Sequence, residues 1–274
     1  MIHFISGLPR SGSTLLAAIL CQNPRFSASF QTPLAQVVTT AIEALGPTFN
    51  EGALLTTKEQ RERMLRGLFY GFYYDKINEL TSLDGVVFDN NRRWTANMAL
   101  LHAIFPGSRI IITVRDPRLI LDSFERIFQR NPTQVSRIIG VGNTNVYQRV
   151  QTVMDPANVL GHSFNCLREA YYGAYAPNLL LVDFESLVSR PLEVLGWLHE
   201  QLGEEDFTYD INNVAPLPGA EEFDRNVGLP GLHSTRRQVS YVPQPYTLPP
   251  DAVANIPPFW TVDGQKNPSV KAFC

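Results

Sequence analysis

"MIHFISGLPRSGSTLLAAIL", Met1 to Leu20, is the stretch on which the reading of the whole chain turns. "IHFIS", Ile2 to Ser6, is a short apolar run that stops at Gly7, the pattern of a buried strand. "SGSTLLAAILCQN" follows, with hydroxyl residues at its start and apolar residues almost all round, the pattern of a buried helix. Strand, tight Gly-rich turn and helix together are the setting of a phosphate-binding loop. Gly7 and Gly12 have the spacing of G-x-x-x-x-G-K-[ST], and Thr14 stands at the terminal hydroxyl position. The lysine position, however, holds Ser13, and the cation of the loop is Arg10.

Such a loop binds an oxyanion through its backbone. Successive N–H groups form a nest, and the start of the helix adds a positive partial charge. Gly7 and Gly12 supply the strained or close-approach positions, and Pro9 stiffens the turn. Ser11, Ser13 and Thr14 add hydroxyl donors, and Arg10 adds a planar fork suited to phosphate or sulfate oxygens. Without a lysine facing β- and γ-phosphates, a monophosphate or phosphosulfate suits the loop better than a triphosphate. A kinase would also need a carboxylate to hold Mg²⁺. Asp89 and Asp183 stand at strand ends, which leaves that reading open.

Three further apolar runs read as strands: "GVVFD" (Gly85 to Asp89), "RIIITVRDP" (Arg109 to Pro117) and "NLLLVDFESL" (Asn178 to Leu187). Helical patterns lie between and after them, at Thr57 to Leu80, Asn145 to Tyr172 and Pro191 to Leu202. The alternation predicts an α/β fold of the P-loop type, three layers with a central parallel sheet flanked by helices. The 274 residues read as one domain, with an α/β core over 1–214 and an irregular Pro-rich lid and tail over 215–274. Ten of the 20 prolines fall in that tail, which cannot be a second sheet.

"VRDPRLILDSF" places Arg115 at the carboxyl end of a core strand and Ser123 eight residues on, within the next helix. Ligands of open parallel sheets bind outside the carboxyl ends of the strands, so the pair marks a second anion site beside the loop. Net charge is −3, which excludes generic binding to nucleic acid or a membrane surface. Cys21, Cys166 and Cys274 are far apart and show no C-x-x-C spacing, so neither a disulfide framework nor a metal site is expected. No apolar run reaches the length of a membrane span, and a soluble cytoplasmic protein with no cleaved leader is expected.

On these motifs the chain resembles the sulfotransferases that use 3′-phosphoadenosine 5′-phosphosulfate (PAPS). "GLPRSGSTLL" resembles their loop for the 5′-phosphosulfate, and "VRDPRLILDS" their motif for the 3′-phosphate. "LLLVDFESLVSRPLEVL" is similar to their later strand and helix. "GLHSTRR", Gly231 to Arg237, is similar to their basic loop over the nucleotide. The likeness runs from Ile2 to about Tyr241, and is nearer to bacterial proteins than to tyrosylprotein sulfotransferases.

The resemblance implies sulfuryl transfer from PAPS, with adenosine 3′,5′-bisphosphate as product, to a hydroxyl of a small molecule or peptide (a phenol or tyrosine, or a sugar). It implies a nucleotide site made by Pro9, Arg10, Ser11, Gly12, Ser13, Thr14, Arg115, Ser123, His233, Arg236 and Arg237. Among the catalytic groups, Arg10 would stabilise the transferring group. The glutamate base of the tyrosylprotein enzymes corresponds to Gln31, which can orient a hydroxyl but take no proton. Their lysine falls near "DNNRRW", where Asn90 and Asn91 stand and Arg92 or Arg93 would supply the cation. Asp89 is the expected substitute base, and His102, His162 and His233 are alternatives by chemistry. Two other readings stay open at this point: a small-molecule or nucleotide kinase, and a nucleotide-binding homologue that has lost catalysis.

Overall fold

The computed structural model describes residues 1–46, 50–81, 84–136, 138, 145–256 and 267–274. Strands β1 (Ile2–Gly7), β3 (Val86–Asn90) and β4 (Ile110–Val114) are buried at every residue, and β5 (Leu179–Asp183) at all but its last. A strand covered on both faces must be apolar throughout, which is why these four read as unbroken runs. Two short strands complete the sheet, β2 (Phe26–Ala28) and β6 (Lys271–Phe273), in the order β2-β3-β1-β4-β5-β6. All the pairings are parallel, with Phe4 opposite both Asp89 and Ile110.

The helices are α1 (Ser13–Leu20), α2 (Leu34–Ala44), α3 (Lys58–Phe72), α4 (Tyr74–Thr81), α5 (Met98–Ile104), α6 (Pro117–Arg130), α7 (Val146–Met154), α8 (Val159–Tyr172), α9 (Phe184–Ser189), α10 (Pro191–Leu202) and α11 (Ala220–Asn226). They cover the sheet on both faces. Phe4, Ile110, Ile112 and Leu181 pack with α2, α3 and α5 to α8, while Ile5, Phe88, Ile111 and Leu180 pack with α1, α9 and α10. This is the expected three-layer α/β architecture. None of the described helices is long and apolar enough to cross a membrane.

The helix expected over Thr57 to Leu80 is two helices. The chain breaks at Tyr73, whose side chain turns inward and donates to the buried Asp89 at 2.6 Å. The tail forms no second sheet, but it is not irregular throughout. It contributes α11, and β6 adds to the existing sheet beside β5. Val214 N–H donates to the Arg237 carbonyl and Val239 N–H to that of Ile211, which folds the tail back along the core.

His3, on β1, is 1% exposed, and its Nδ1 accepts from the backbone N–H of Arg109 at 2.9 Å. Protonation would break that bond. Burial, with the N-terminal amino group and Arg109 nearby, lowers its pKa from 6.5 to about 4. Between these values the unfolded chain holds a proton that the folded chain does not, so the stabilisation is complete above pH 6.5 and is lost as pH falls towards 4. The loss at the bottom of that window should be about 3 kcal/mol. Urea unfolding of the parent and His3→Leu at several pH values tests this, because the variant lacks that pH-dependent part. Parallel pH curves for the two proteins would overturn it.

Candidate active site

The loop between β1 and α1 has three residues in the left-handed region, Gly7 (φ 121°), Arg10 (φ 58°) and Gly12 (φ 96°). Two ties hold it in that shape. Leu8 N–H donates to the Thr113 carbonyl at 3.1 Å, and Ser11 Oγ donates to the Leu8 carbonyl at 2.5 Å while lying 2.7 Å from Thr113 Oγ1. Gly12 caps α1 with no side chain, so the first N–H groups of the helix remain for an anion.

The loop forms one wall of a cavity of about 360 Å³ at the carboxyl ends of the strands. The other walls are Phe30 and Gln31 after β2, Asn90 at the end of β3 with Asn91 and Arg92 after it, Arg115 after β4, α6 residues between Ser123 and Arg130, Phe184 after β5, and tail residues between Gly231 and Gln244. Six arginines line it: Arg10, Arg92, Arg115, Arg126, Arg130 and Arg236. Among the described residues, no aspartate, glutamate or lysine does so.

Arg10 Nε donates to Ser123 Oγ at 3.1 Å, and Arg115 Nη1 donates to the Arg10 carbonyl at 3.3 Å. Arg115 also stacks over the Phe184 ring, 4.3 Å from its centroid. Burial, then the charge of Arg115, with Arg126 and Arg130 adding to it, lowers the Arg10 guanidinium to about 10, and only Asp224 opposes them. Like charges gathered this closely favour an anion between them. Asp116 is taken by Arg118 and Asp122 by Arg126, so Arg115 is left facing the cavity. Asp122 also accepts from Thr247 N–H and Oγ1, both at 2.7 Å, which anchors the tail on α6. Ser6 Oγ, Asn90 Nδ2, Arg115 Nε and Thr235 Oγ1 are buried without a hydrogen-bond partner, and all four residues line the cavity. A polar ligand rich in oxygens fits such a lining.

Comparison with protein families decides the assignment: the model of the sulfotransferase family matches residues 3–208. The chain belongs to the sulfotransferase family. Its fold is similar to the sulfotransferase domain from the curacin biosynthetic pathway, at 20% identity over 76% of this chain and 75% of that one, with a TM-score of 0.50. The sulfotransferase domain from the Synechococcus PCC 7002 olefin synthase matches at 18% identity over 92% of both chains, TM-score 0.49. A sulfotransferase from Alicyclobacillus acidocaldarius matches at 16% identity over 76% and 83%, TM-score 0.48. No curated protein sequence matches the chain.

The sulfotransferase brings most of the expected site residues together. Pro9, Arg10, Gly12, Ser13, Thr14, Gln31, Arg115, Ser123, His233 and Arg236 all line the cavity. Four do not. The Ser11 hydroxyl is spent inside the loop. Arg93 is exposed and donates to Gln36, and its neighbour Arg92 lines the cavity in its place. Arg237 is exposed and contributes its carbonyl to the pairing with Val214.

The fourth is Asp89, and here the expected role is corrected. Asp89 is 0% exposed, and its carboxylate accepts from Thr32 Oγ1 (3.0 and 2.8 Å), Tyr73 OH (2.6 Å) and Trp94 Nε1 (2.7 Å). Burial raises its pKa, and the three donors oppose the rise. With its oxygens so occupied it reaches no acceptor. Its work is positional: with Asn91 Nδ2, which donates to the Thr32 carbonyl at 2.8 Å, it pins the segment that presents Phe30 and Gln31.

Arg126 and Arg130 went unread in the sequence. They lie three and seven residues after Ser123 on α6, the spacing of one helical face, and that signal could have found them. Asn90 and Thr235 carry no comparable sequence signal as ligand groups.

Proposed function

We propose that the donor of this sulfotransferase is PAPS and that the acceptor is a hydroxyl of a small molecule or peptide. The observation that carries this is the cavity itself: a phosphate loop without lysine, beside a second cationic group, with six arginines around both. The loop amides, Ser13, Thr14 and Arg10 would hold the 5′-phosphosulfate. Arg115 and Ser123 would hold the 3′-phosphate, and the tail from Gly231 with Arg236 would cover the nucleotide. When bound, the donor supplies the sulfuryl group and a phosphate leaving group. Arg10 then steadies the charge that grows on the bridging oxygen, and Gln31 orients the acceptor hydroxyl.

The kinase reading loses its support. Asp89 is enclosed, and Asp183 accepts from Ser186 N–H at the start of α9, so neither carboxylate lines the cavity. The thiols of Cys21 and Cys166 form no disulfide, which suits a reducing compartment, and we place the enzyme in the cytoplasm. The whole chain would act as one catalytic domain, with 215–274 as its lid and tail.

The test is nucleotide affinity. Arg115→Ala should weaken adenosine 3′,5′-bisphosphate by about 1.5–3 kcal/mol, the value of hydrogen bonds to a charged group. Ser123→Ala should lose about 1 kcal/mol, and neither should change 5′-AMP binding. Titration calorimetry with both nucleotides reads this directly. Variants that bind the bisphosphate as the parent does would remove the 3′-phosphate assignment.

A further inference from the structure

We propose that His233, held by Asp224, is the general base that takes the proton of the acceptor hydroxyl. This rests on the reading of the cavity as a sulfuryl-transfer site and supplies the group that reading lacks. The position of the glutamate base is Gln31, and Asp89 is enclosed. Among the described residues lining the cavity, His233 is the only histidine, and no carboxylate or lysine is present.

The geometry is that of an oriented base. Asp224 is 1% exposed, and its carboxylate grips His233 twice. Oδ1 lies 2.5 Å from the ring Nδ1, and Oδ2 accepts from the His233 backbone N–H at 2.6 Å. A carboxylate accepts only, so the neutral ring carries its proton on Nδ1 and keeps its lone pair on Nε2. Nε2 makes no hydrogen bond among the described residues, and the residue lines the cavity. Phe30 and Phe223 pack on the ring at centroid distances of 5.3 and 5.5 Å, which limits its rotation. Phe30 is the neighbour of Gln31, so base and orienting amide stand on adjoining walls. Asp224 is also within electrostatic reach of Arg10, whose charge it favours. His233 and Arg10, the group assigned to the transferring sulfuryl, line the same cavity.

In the step, the acceptor O–H proton passes to Nε2 while the acceptor oxygen forms a bond to sulfur. The bond from sulfur to the 5′-phosphate oxygen breaks, and its electron pair leaves on that oxygen. The imidazolium is stabilised by Asp224 and gives its proton to water. His233 is the catalytic residue and Asp224 a positioning residue.

The experiment uses the full chain and His233→Gln, His233→Asn and Asp224→Asn. The two histidine variants differ in reach, so that a folding defect in one leaves the other. As a base His233 serves the acceptor and not the nucleotide, where the family resemblance puts it, so calorimetry with adenosine 3′,5′-bisphosphate should give affinities within about threefold of the parent. Transfer from PAPS is measured to p-nitrophenol, at a pH where it is ionised, and to 2-phenylethanol, which is not. If the alcohol is not taken, transfer to water, read as sulfate release, replaces it. Without His233, transfer to the un-ionised acceptor should fall about 10²- to 10³-fold, while nitrophenolate, which needs no base, should lose less than about tenfold. Nitrogen-15 NMR of the ligand-free parent should show a protonated Nδ1 on His233, and Asp224→Asn should shift that signal. Equal losses with both acceptors, a fall in bisphosphate affinity that matches the fall in rate, or parental rates would each overturn the proposal. Failure of the donor reading shows in the parent instead, as absence of bisphosphate binding.

Discussion

Arg10→Ala should leave adenosine 3′,5′-bisphosphate bound within about tenfold of the parent, a difference near 1.4 kcal/mol. It should lower sulfuryl transfer by about 10²- to 10³-fold, the usual effect of losing one preorganised donor to a developing charge. The asymmetry follows from where Arg10 stands. Its guanidinium is crowded by Arg115, Arg126 and Arg130, and burial with that crowding lowers it to about 10. Removing it relaxes the repulsion among the remaining cations, and this relief offsets part of the weakened ground-state binding. Nothing would offset the loss as charge moves onto the bridging oxygen, which the loop bearing Arg10 would surround in the proposed complex. An interaction stronger in the transition state than before it appears in the rate. Alanine at φ 58° keeps the same backbone strain as arginine, so the comparison isolates the side chain. Arg10→Lys should recover part of the rate, restoring charge without the fork. Single-turnover rates beside calorimetry decide it. An Arg10→Ala enzyme with near-parental turnover would remove Arg10 from the mechanism.

What could be read before the fold was known follows the range of the forces involved. The loop from Gly7 to Thr14 was legible because its glycine spacing, its strand and its helix are local. So were β4 and β5, whose burial on both faces makes them unbroken apolar runs. Strand β2 was not legible. Phe26 to Ala28 is too short to form an apolar run of its own, and what makes it a strand is its pairing with Val86 to Phe88, sixty residues away. β6 depends on β5 in the same way.

The site divides along the same line. Asp89 looked like a carboxylate at the ligand end of a strand. Thr32, Tyr73 and Trp94 enclose it, and they come from three other segments. Arg92 and Arg93 could not be told apart, because the 3₁₀ turn from Arg92 to Asn97 decides which one faces inward. The grip of Asp224 on His233 spans a helix end and a loop that follow no periodicity.

Gly7→Ala should unfold or grossly destabilise the protein, and the cause lies at the Thr113 carbonyl, an atom that the sheet and the loop share. At φ 121° Gly7 occupies a conformation that side-chain-bearing residues rarely adopt. A Cβ there would stand 2.2 Å from the Thr113 carbonyl oxygen and 2.8 Å from its nitrogen. Both atoms are backbone of a central strand and cannot rotate away. β1 and β4 would have to separate where Gly7 pairs with Thr113, with Ile5, Ile111 and Ile112 fully buried beside the gap. That same Thr113 carbonyl accepts from Leu8 N–H and lies 2.9 Å from Ser11 Oγ, so its displacement would also release the loop. Strain with overpacking in a core places the cost at about 4 kcal/mol or more. For a domain of this size that lowers the melting temperature by on the order of 10 °C. Gly12→Ala is the contrast. Its φ of 96° strains an alanine too, but its Cβ would meet a side chain, Phe184 Cδ2 at 2.8 Å, and not strand backbone, so the variant should melt closer to the parent while binding nucleotide less well. Thermal melts of both variants, followed by bisphosphate titration of whichever folds, measure the two effects separately. A Gly7→Ala protein that melts with the parent would mean that β4 shifts freely, and the loop would then not owe its shape to Thr113.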